Sequence, residues 1–296
     1  MRIVSLVPSA TEMLFALGLG DDVVAVTHEC DFPAQADELP KVTLNSLPPG
    51  LSSGEIDAAV KERTLQGQSI YELDTELLAS LEPDLIVTQA LCTVCAVSYD
   101  DVRTLAEELD SRPRVVSLDP TTVGEVLGDA RTLAELTGAR EAAVTLIRNA
   151  AQRIDHVRVA TRRLARPRVA ALEWLDPPFA AGHWTPQLIE YAGGEDVLGL
   201  PGEHSEERTW DEVRAVQPDV VIVMPCGYDA PLAYREAEMH QHELATLGAG
   251  EAVAVDAAAY FSRPGPRIVD GLELLAHILH PEEFPEAPAE ALKLKL

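Results

Sequence analysis

The stretch that decides the fold reads Leu-Glu-Pro-Asp-Leu-Ile-Val at Leu81–Val87, and it returns as Val-Gln-Pro-Asp-Val-Val-Ile at Val216–Ile222. In each copy a helical pattern stops before the proline, because proline disfavours a helical conformation in the residue that precedes it. The apolar run after each aspartate is short and rich in β-branched residues, which predicts a parallel strand covered on both faces. The same helix-to-strand junction is therefore predicted twice in one chain.

A second pair of segments repeats in the same order. Thr11–Leu14 leads through Gly-Asp-Asp to Val23, and Thr185–Leu188 leads through Gly-Glu-Asp to Val197. The chain from this segment to the Pro-Asp segment is longer in the first copy than in the second, so the first copy carries an insertion. We place it around Leu44–Tyr71, where prolines and glycines mark an inserted loop and helix. Two matched pairs in one order indicate an internal repeat.

Strands that alternate with helices predict βαβ units and an α/β fold. We predict two Rossmann-like lobes with mainly parallel sheets, an N-terminal one over residues 1–120 and a C-terminal one over 165–285, with a tail at 286–296. Residues 121–164 are predicted as linking helices, and 139–164 as one long backbone helix because it contains no glycine or proline. The predicted strands are Ile3–Val7, Val23–Thr27, Leu85–Thr88, Arg114–Leu118, Arg168–Leu172, Val220–Met224 and Ala252–Val255.

The acidic composition of the chain argues against two classes of binding partner. The chain has 23 Lys and Arg against 49 Asp and Glu, a formal net charge of −26. Such a charge argues against nucleic acid and anionic membranes, which both require basic clusters. No apolar run is long enough to insert in a membrane, and we expect a monomer or weak dimer. A first strand from Ile3 with no leader pattern ahead of it predicts a cytoplasmic location, or a periplasmic or secreted one if a leader was trimmed.

Candidate ligand-binding residues follow the predicted strands, because ligands of open parallel sheets bind beyond the carboxyl ends of the strands. Tryptophan and tyrosine with a few polar groups suit a largely apolar pocket. The alternatives are an ordinary helix cap at Ser9, a core position for either tryptophan and a surface position for Arg263. The candidates are Ser9, His28 and Gln89 in the first lobe and Trp174, His183, Trp184, Tyr228, Tyr260, Phe261 and Arg263 in the second.

All four cysteines also follow predicted strands: Cys30, Cys92, Cys95 and Cys226. Three thiolates with the imidazole of His28 suit zinc, and thiolates alone suit an iron–sulfur cluster. The competing interpretation is that free cysteines are core residues. A directly bound metal is therefore the alternative function, with a thiol- or metal-dependent enzyme as a third interpretation. Because the chain has no nucleophile elbow, phosphate loop or paired carboxylates, we predict that it is not an enzyme.

The opening Ile-Val-Ser-Leu-Val-Pro-Ser-Ala-Thr-Glu at Ile3–Glu12, the two Pro-Asp strands and the single linking helix resemble a known family. This is the helical-backbone (class III) substrate-binding proteins of metal-chelate ABC importers, and within it the cobalamin-binding, BtuF-like branch. Thr27–Pro33, Leu91–Ser98 and Ser262–Arg267 look like a subgroup of that branch that lacks a leader peptide. The resemblance extends from Arg2 to about Pro281.

The resemblance implies a solute-binding protein with a corrinoid (cobalamin-like) or related metal chelate held in a cleft between the lobes. It also implies an ABC permease as partner, contacted through one acidic residue on each lobe. Alignment on the Pro-Asp strands assigns these residues to Glu76 and Asp211.

Overall fold

The computed structural model describes residues 1–66, 68–90 and 97–295. The chain forms two compact units, one of Met1–Pro120 with Val126–Ile147 and the other of Thr121–Glu125 with Arg148–Leu296. Across the described residues, no helix combines the length and the apolar character needed to cross a membrane.

The first unit is built on a parallel sheet of four strands in the order β2-β1-β5-β6, with a separate antiparallel pair formed by β3 and β4. Its strands are β1 (Ile3–Ser5), β2 (Val23–Val26), β3 (Thr43–Asn45), β4 (Tyr71–Leu73), β5 (Leu85–Thr88) and β6 (Arg114–Ser117). Its helices are α1 (Pro8–Ala16), α2 (Ala34–Asp37), α3 (Ser53–Leu65), α4 (Thr75–Ser80), α5 (Tyr99–Glu108) and α6 (Val123–Thr137).

Helix α7 (Arg140–Thr161) begins in the first unit and continues into the second. It lies within the predicted 139–164 helix and is slightly shorter than expected. Its apolar face enters the core of the first unit at Ala143, with Leu146 and Ile147 packed against the same cluster. In the second unit Arg153 of α7 donates to both Asp270 and Glu273.

The second unit has a mixed sheet in the order β10-β8-β7-β11-β12-β13, with β9 also paired to β7. Its strands are β7 (Arg168–Leu175), β8 (Pro178–Ala180), β9 (Glu195–Asp196), β10 (Glu206–Glu207), β11 (Val220–Val223), β12 (Glu251–Val255) and β13 (Ala291–Lys293). Its helices are α8 (Thr185–Tyr191), α9 (Trp210–Ala215), α10 (Ala230–Met239), α11 (Gln241–Ala245), α12 (Ala257–Tyr260) and α13 (Ile268–Leu279).

The internal repeat is visible in the strand order. Strands β9, β7, β11 and β12 are parallel neighbours in the same order as β2, β1, β5 and β6. Ile3 of β1 pairs with Leu85, and Val169 of β7 pairs with Val220 at the equivalent level. The two units therefore share one four-stranded frame.

The Pro-Asp junctions agree down to single hydrogen bonds. Asp84 accepts from the backbone N–H of Arg2 at 2.7 Å, and Asp219 accepts from that of Arg168 at 2.8 Å. Glu82 and Gln217, each just before its proline, have positive φ angles of 43° and 47°. That backbone conformation turns the chain sharply between the end of the helix and the start of the strand.

A hairpin distinguishes the second unit from the first. Strand β7 runs beyond the length of β1, and β8 returns antiparallel beside it, until the N–H of Ala181 donates to the carbonyl of Ala171 at 3.0 Å. The hairpin accounts for the greater length of the second copy between its first strand and the helix that begins at Thr185. It thus extends past the carboxyl edge of the shared frame.

The antiparallel additions were not predicted from the sequence. Strands β8, β10 and β13 extend the second sheet by antiparallel pairing, and β13 falls within 286–296, the segment predicted as a tail. In the first unit the predicted insertion contains α3 as expected, together with β3 and β4 at its two ends.

Candidate functional site

The first unit presents polar groups after β2. The ring Nδ1 of His28 lies 2.8 Å from the hydroxyl oxygen of Thr43, and its ring is tilted against that of Tyr71 with centroids 5.3 Å apart. The hydroxyl of Tyr71 donates to Glu29 at 2.8 Å. The inserted segment that ends in β4 therefore supplies an aromatic side chain to the carboxyl edge of the sheet.

The other candidates of the first unit differ in exposure. Ser9 is buried in the first turn of α1, and Gln89 is half-buried directly after β5. The Nε2 atom of His28 is buried and has no hydrogen-bond partner among the residues that the structure describes.

In the second unit the hairpin carries Trp174, whose ring meets that of Tyr228 edge-on at 5.6 Å. Tyr228 follows β11, and its carbonyl accepts from the N–H of Ala258 in α12 at 3.1 Å. Burial, followed by the nearby charge of Glu236, raises the pKa of the Tyr228 hydroxyl. Two aromatic side chains from different strand ends thus meet at this edge.

The segment after β12 also lies at the carboxyl edge of the second sheet. The buried indole N–H of Trp184 donates to the carbonyl of Phe261 at 2.9 Å, and the N–H of Gly227 donates to the hydroxyl of Ser262 at 3.3 Å. These bonds join three separate strand ends. Trp184 and Phe261 lie in the core, while Tyr260 is half-buried and remains partly accessible to solvent.

Arginines flank Tyr260. The guanidinium of Arg267 lies 5.8 Å from the centre of the Tyr260 ring, and Arg263 is half-buried. Burial raises the pKa of Asp256 on balance, although the backbone N–H of Ala259 and the positive charges of Arg267 and Arg263 lower it. An aromatic ring and two arginines therefore lie around a half-buried carboxyl group at this edge.

His183 pairs with a histidine that the sequence did not single out. Its Nε2 lies 3.1 Å from Nδ1 of the exposed His204, and the two rings are nearly perpendicular. Burial, together with the neighbouring His204, lowers the pKa of His183. Helix α8 and strand β9 separate the two histidines along the chain, so no local sequence pattern links them.

The cysteines do not form the predicted metal site in the described part of the chain. Cys30 is buried in the core of the first unit, its sulfur 3.1 Å from the hydroxyl of Thr11, and burial raises the pKa of its thiol. Cys226 is exposed in the other unit. No three His, Cys, Asp or Glu side chains cluster as metal ligands among the described residues.

Cys92 and Cys95 lie outside the described residues. Zinc or iron–sulfur binding through Cys30 and His28 therefore has no structural support. The physical reason is that Cys30 behaves as a small apolar side chain, and burial keeps its thiol protonated when a metal would need the thiolate.

The two acidic residues assigned to permease contact occupy equivalent positions. Glu76 and Asp211 are both exposed in the first turn of a short helix, α4 and α9, that precedes a Pro-Asp junction. Asp211 forms an ion pair with Arg214. The helix caps are Asp74 and Thr209, each accepting from a backbone N–H one turn on.

Comparison with known proteins identifies the family. The model of the family described as "Periplasmic binding protein" matches residues 3–252. The chain belongs to this family. Its members bind solutes and are not enzymes, which confirms both the recognised resemblance and the prediction that the chain has no catalytic activity.

Two relatives match along most of their length. The Vitamin B12-binding protein of Vibrio cholerae is 24% identical over 274 residues, covering 92% of this chain and 86% of the relative. An uncharacterised ABC transporter substrate-binding lipoprotein of Bacillus subtilis is 24% identical over 299 residues, covering 96% and 82%. The name of the second relative associates that protein with ABC transport.

Solved structures show the same fold. The periplasmic vitamin B12 binding protein of Vibrio cholerae superposes with a TM-score of 0.68 at 22% identity, covering 94% of this chain and 96% of that one. A periplasmic heme binding protein of Pseudomonas aeruginosa gives 0.72 at 18% identity, with coverage of 98% and 94%. The prediction of two α/β lobes joined by a long helix is confirmed.

The prediction of a cytoplasmic location is wrong. The family is one of periplasmic binding proteins, and the relatives are named as periplasmic proteins or as a lipoprotein. The prediction depended on a first strand that begins at Ile3 with no leader pattern ahead of it. A binding protein from which a leader has been removed has the same pattern, so it does not determine the compartment.

Proposed function

We propose that the chain binds a metal chelate built on a corrin ring, and that the carboxyl edge of the second unit contacts it. The observation that carries the proposal is that Trp174 of β7 meets Tyr228 after β11, and that a hydrogen bond from Gly227 to Ser262 ties the segment after β11 to the segment that contains Tyr260 and Arg263. His28, Glu29 and Tyr71 at the corresponding edge of the first unit are proposed as further contacts.

These residue types suit a large, flat and partly charged ligand. Aromatic rings cover the apolar surface of a macrocycle at little cost in conformational entropy. Arginine binds phosphate or carboxylate groups through two parallel hydrogen bonds. A corrinoid has both an extended ring and a phosphate, and a haem has an extended ring and two carboxylates. The aromatic and cationic groups of this edge would serve either ligand.

The sequence relatives favour the corrinoid. A vitamin B12-binding protein matches 92% of the chain, and a second relative of that name from Vibrio parahaemolyticus is 50% identical over a short stretch of 42 residues. The heme binding protein resembles this chain at 18% identity, a level that supports a shared fold and says nothing of the ligand.

Titration with hydroxocobalamin and, separately, with haemin tests the proposal. We expect a change in the visible spectrum of hydroxocobalamin and quenching of tryptophan fluorescence, with binding at micromolar concentration or tighter and weaker binding of haemin. Arg263→Ala should weaken binding by about tenfold, since one charge-assisted contact contributes roughly 1.5 kcal/mol. The matched control is Arg235→Ala, an exposed arginine on α10 of the same unit. Absence of any spectral change at high micromolar ligand would contradict the proposal, and tighter binding of haemin would transfer it to haem.

We also propose that Glu76 and Asp211 contact an ABC permease. Their exposure, their equivalent positions in the two units and the substrate-binding relative from Bacillus subtilis support this role. Alanine at both positions should leave hydroxocobalamin binding unchanged and abolish corrinoid uptake by cells in which the variant replaces the native protein. Asp110→Ala, an exposed acidic residue just beyond α5, is the control. Normal uptake by the double variant would refute the assignment.

A further inference from the structure

The His183 and His204 pair has the geometry of two ligands on one metal ion. Nitrogen ligands lie about 2.0–2.1 Å from a first-row ion such as zinc, so two adjacent ligands at right-angled or tetrahedral positions are about 2.9–3.4 Å apart. The observed separation of Nε2 of His183 from Nδ1 of His204 is 3.1 Å. The rings are nearly perpendicular, at 87°, so they do not collide as both nitrogens turn toward a common point.

The backbone holds the two residues together. The N–H of His183 donates to the carbonyl of Glu203 at 2.6 Å, and the N–H of Gly202 returns a bond to the carbonyl of His183 at 2.9 Å. A Cβ on Gly182 would lie within 2.4–2.7 Å of backbone atoms of residues 203–205, so only glycine permits this approach. The main chain thus holds the two segments that carry the imidazoles side by side.

His183 adopts a left-handed backbone conformation. Its φ angle is +54°, in a region that few residues other than glycine adopt. Such a conformation persists where the surrounding structure enforces it, and it is concentrated at functional positions. By the internal repeat His183 corresponds to Ser9, so it lies at the ligand-facing carboxyl edge of its sheet.

The surroundings favour a cation. His204 is exposed, which leaves room for water as the remaining ligands. The adjacent sequence contains Glu203, Glu206 and Glu207, and the whole chain carries a net charge of −26.

We propose that Nε2 of His183 and Nδ1 of His204 together bind one divalent first-row transition-metal ion, with water completing its coordination. The metal of a corrin or haem does not satisfy this pair, because the macrocycle occupies four positions in a plane and leaves only two opposite ones. The site requires two adjacent open positions, as in a hydrated ion. It is therefore separate from the binding of the chelate ring.

Calorimetric titration of the chelate-free full chain with Ni²⁺ at neutral pH tests the site. Nickel is chosen because imidazole suits it and it stands high in the order of divalent-metal affinities. We expect one site per chain that is weakened by roughly tenfold or more in both His204→Ala and His183→Asn, since each removes half of the protein ligands. Asparagine is used at position 183 because it tolerates the left-handed backbone.

The control is His242→Ala, an exposed histidine of α11 in the same unit, which should leave nickel binding unchanged. Nickel bound by the cysteines would be equal in all four proteins and would not mimic the expected pattern. Wild-type affinity in either pair variant, or the lack of any histidine-dependent site at millimolar nickel, would overturn the proposal. Since no chelate is present, the result is independent of hydroxocobalamin binding.

Discussion

Asp196 has a carboxylate in two different environments. One oxygen accepts from the backbone N–H groups of Leu198 and Gly199 at 2.9 and 2.8 Å. The other is buried and has no hydrogen-bond partner among the described residues. Burial raises the pKa of this carboxyl to about 6, despite the opposing effect of the two N–H donors. At neutral pH the carboxyl is mostly ionised, and its buried charge lowers the stability of the fold.

We predict that Asp196→Asn changes the pH dependence of stability. The folded pKa lies above the unfolded value of about 3.9, so the protonated carboxyl stabilises the fold below about pH 4 and loses this effect as pH rises through about 6. The free energy of unfolding of the variant, relative to wild type, should rise by about 2 kcal/mol between pH 4.5 and 7.5. Urea denaturation of the variant and the wild type at several pH values measures this difference in the free energy of unfolding. A difference that does not change with pH would contradict the raised pKa of Asp196. Asp110→Asn, at an exposed position, is the control.

Individual residues also show how much of the candidate site can be predicted from the sequence. Tyr228, Tyr260 and Arg263 are predicted as site residues because they follow strands and are aromatic or charged, and they lie at one edge of the sheet because parallel strands end together. Cys30 also follows a strand, but its side chain points into the core. The position of a residue directly after a strand predicts that it lies at the carboxyl edge of the sheet. Whether its side chain faces solvent or the core depends on packing, which this pattern does not predict. His204 could not have been found, since its partner is distant in sequence.

Among the helices and strands, the Pro-Asp junction is the feature that occurs in both units. The aspartate accepts from the N–H of the arginine at the start of the neighbouring strand, Arg2 or Arg168, while its own N–H donates to the carbonyl of the same arginine, at 2.8 Å in both copies. Asp84 thus joins the start of β5 to the start of β1, and Asp219 joins the start of β11 to the start of β7. The junction fixes the register of the central strand pair.

We predict that Asp84→Ala and Asp219→Ala destabilise the protein by similar amounts. Each removes one side-chain hydrogen bond to a strand N–H at a solvent-accessible position, a loss of about 1 kcal/mol. Urea denaturation of the two variants measures the free energies of unfolding. Asparagine at the same positions keeps an acceptor and should restore most of the loss. A large cost at one junction and none at the other would refute their equivalence.

Elements that follow local patterns were predictable, and those that depend on pairing were not. Strand β5 matches its predicted bounds because Leu85–Thr88 is an uninterrupted apolar run after a proline. Strands β9 and β10 consist of Glu195–Asp196 and Glu206–Glu207, which have no strand propensity of their own. They are strands only because an open edge of β7 or β8 lies beside them.

At the scale of the whole molecule, the net charge of −26 opposes the compact state through self-repulsion. Salt screens this repulsion, since the Debye length falls from about 30 Å at 0.01 M to below 10 Å above 0.1 M. We predict that raising NaCl from about 10 to 300 mM increases the thermal midpoint by about 3–5 °C at neutral pH. Scanning calorimetry measures it. This rise in the thermal midpoint should be smaller at about pH 5, close to the isoelectric point near 4.5. A rise of the same size at that pH would mean that salt stabilises the protein by ion exclusion and not by screening its charge.

The hairpin of the second unit has a consequence for redesign. Its two ends meet where the Ala181 N–H donates to the carbonyl of Ala171, a residue that pairs with Ile222 of β11, so both ends of the segment are fixed by the frame. A replacement hairpin with apolar residues at Leu172 and Leu175, which are buried, would leave α8 and the Pro-Asp junction in place. The hairpin can therefore be exchanged as one segment. Hairpins of other lengths and aromatic content, grafted at this place, offer a route to binding proteins with new ligand preferences on an unchanged scaffold.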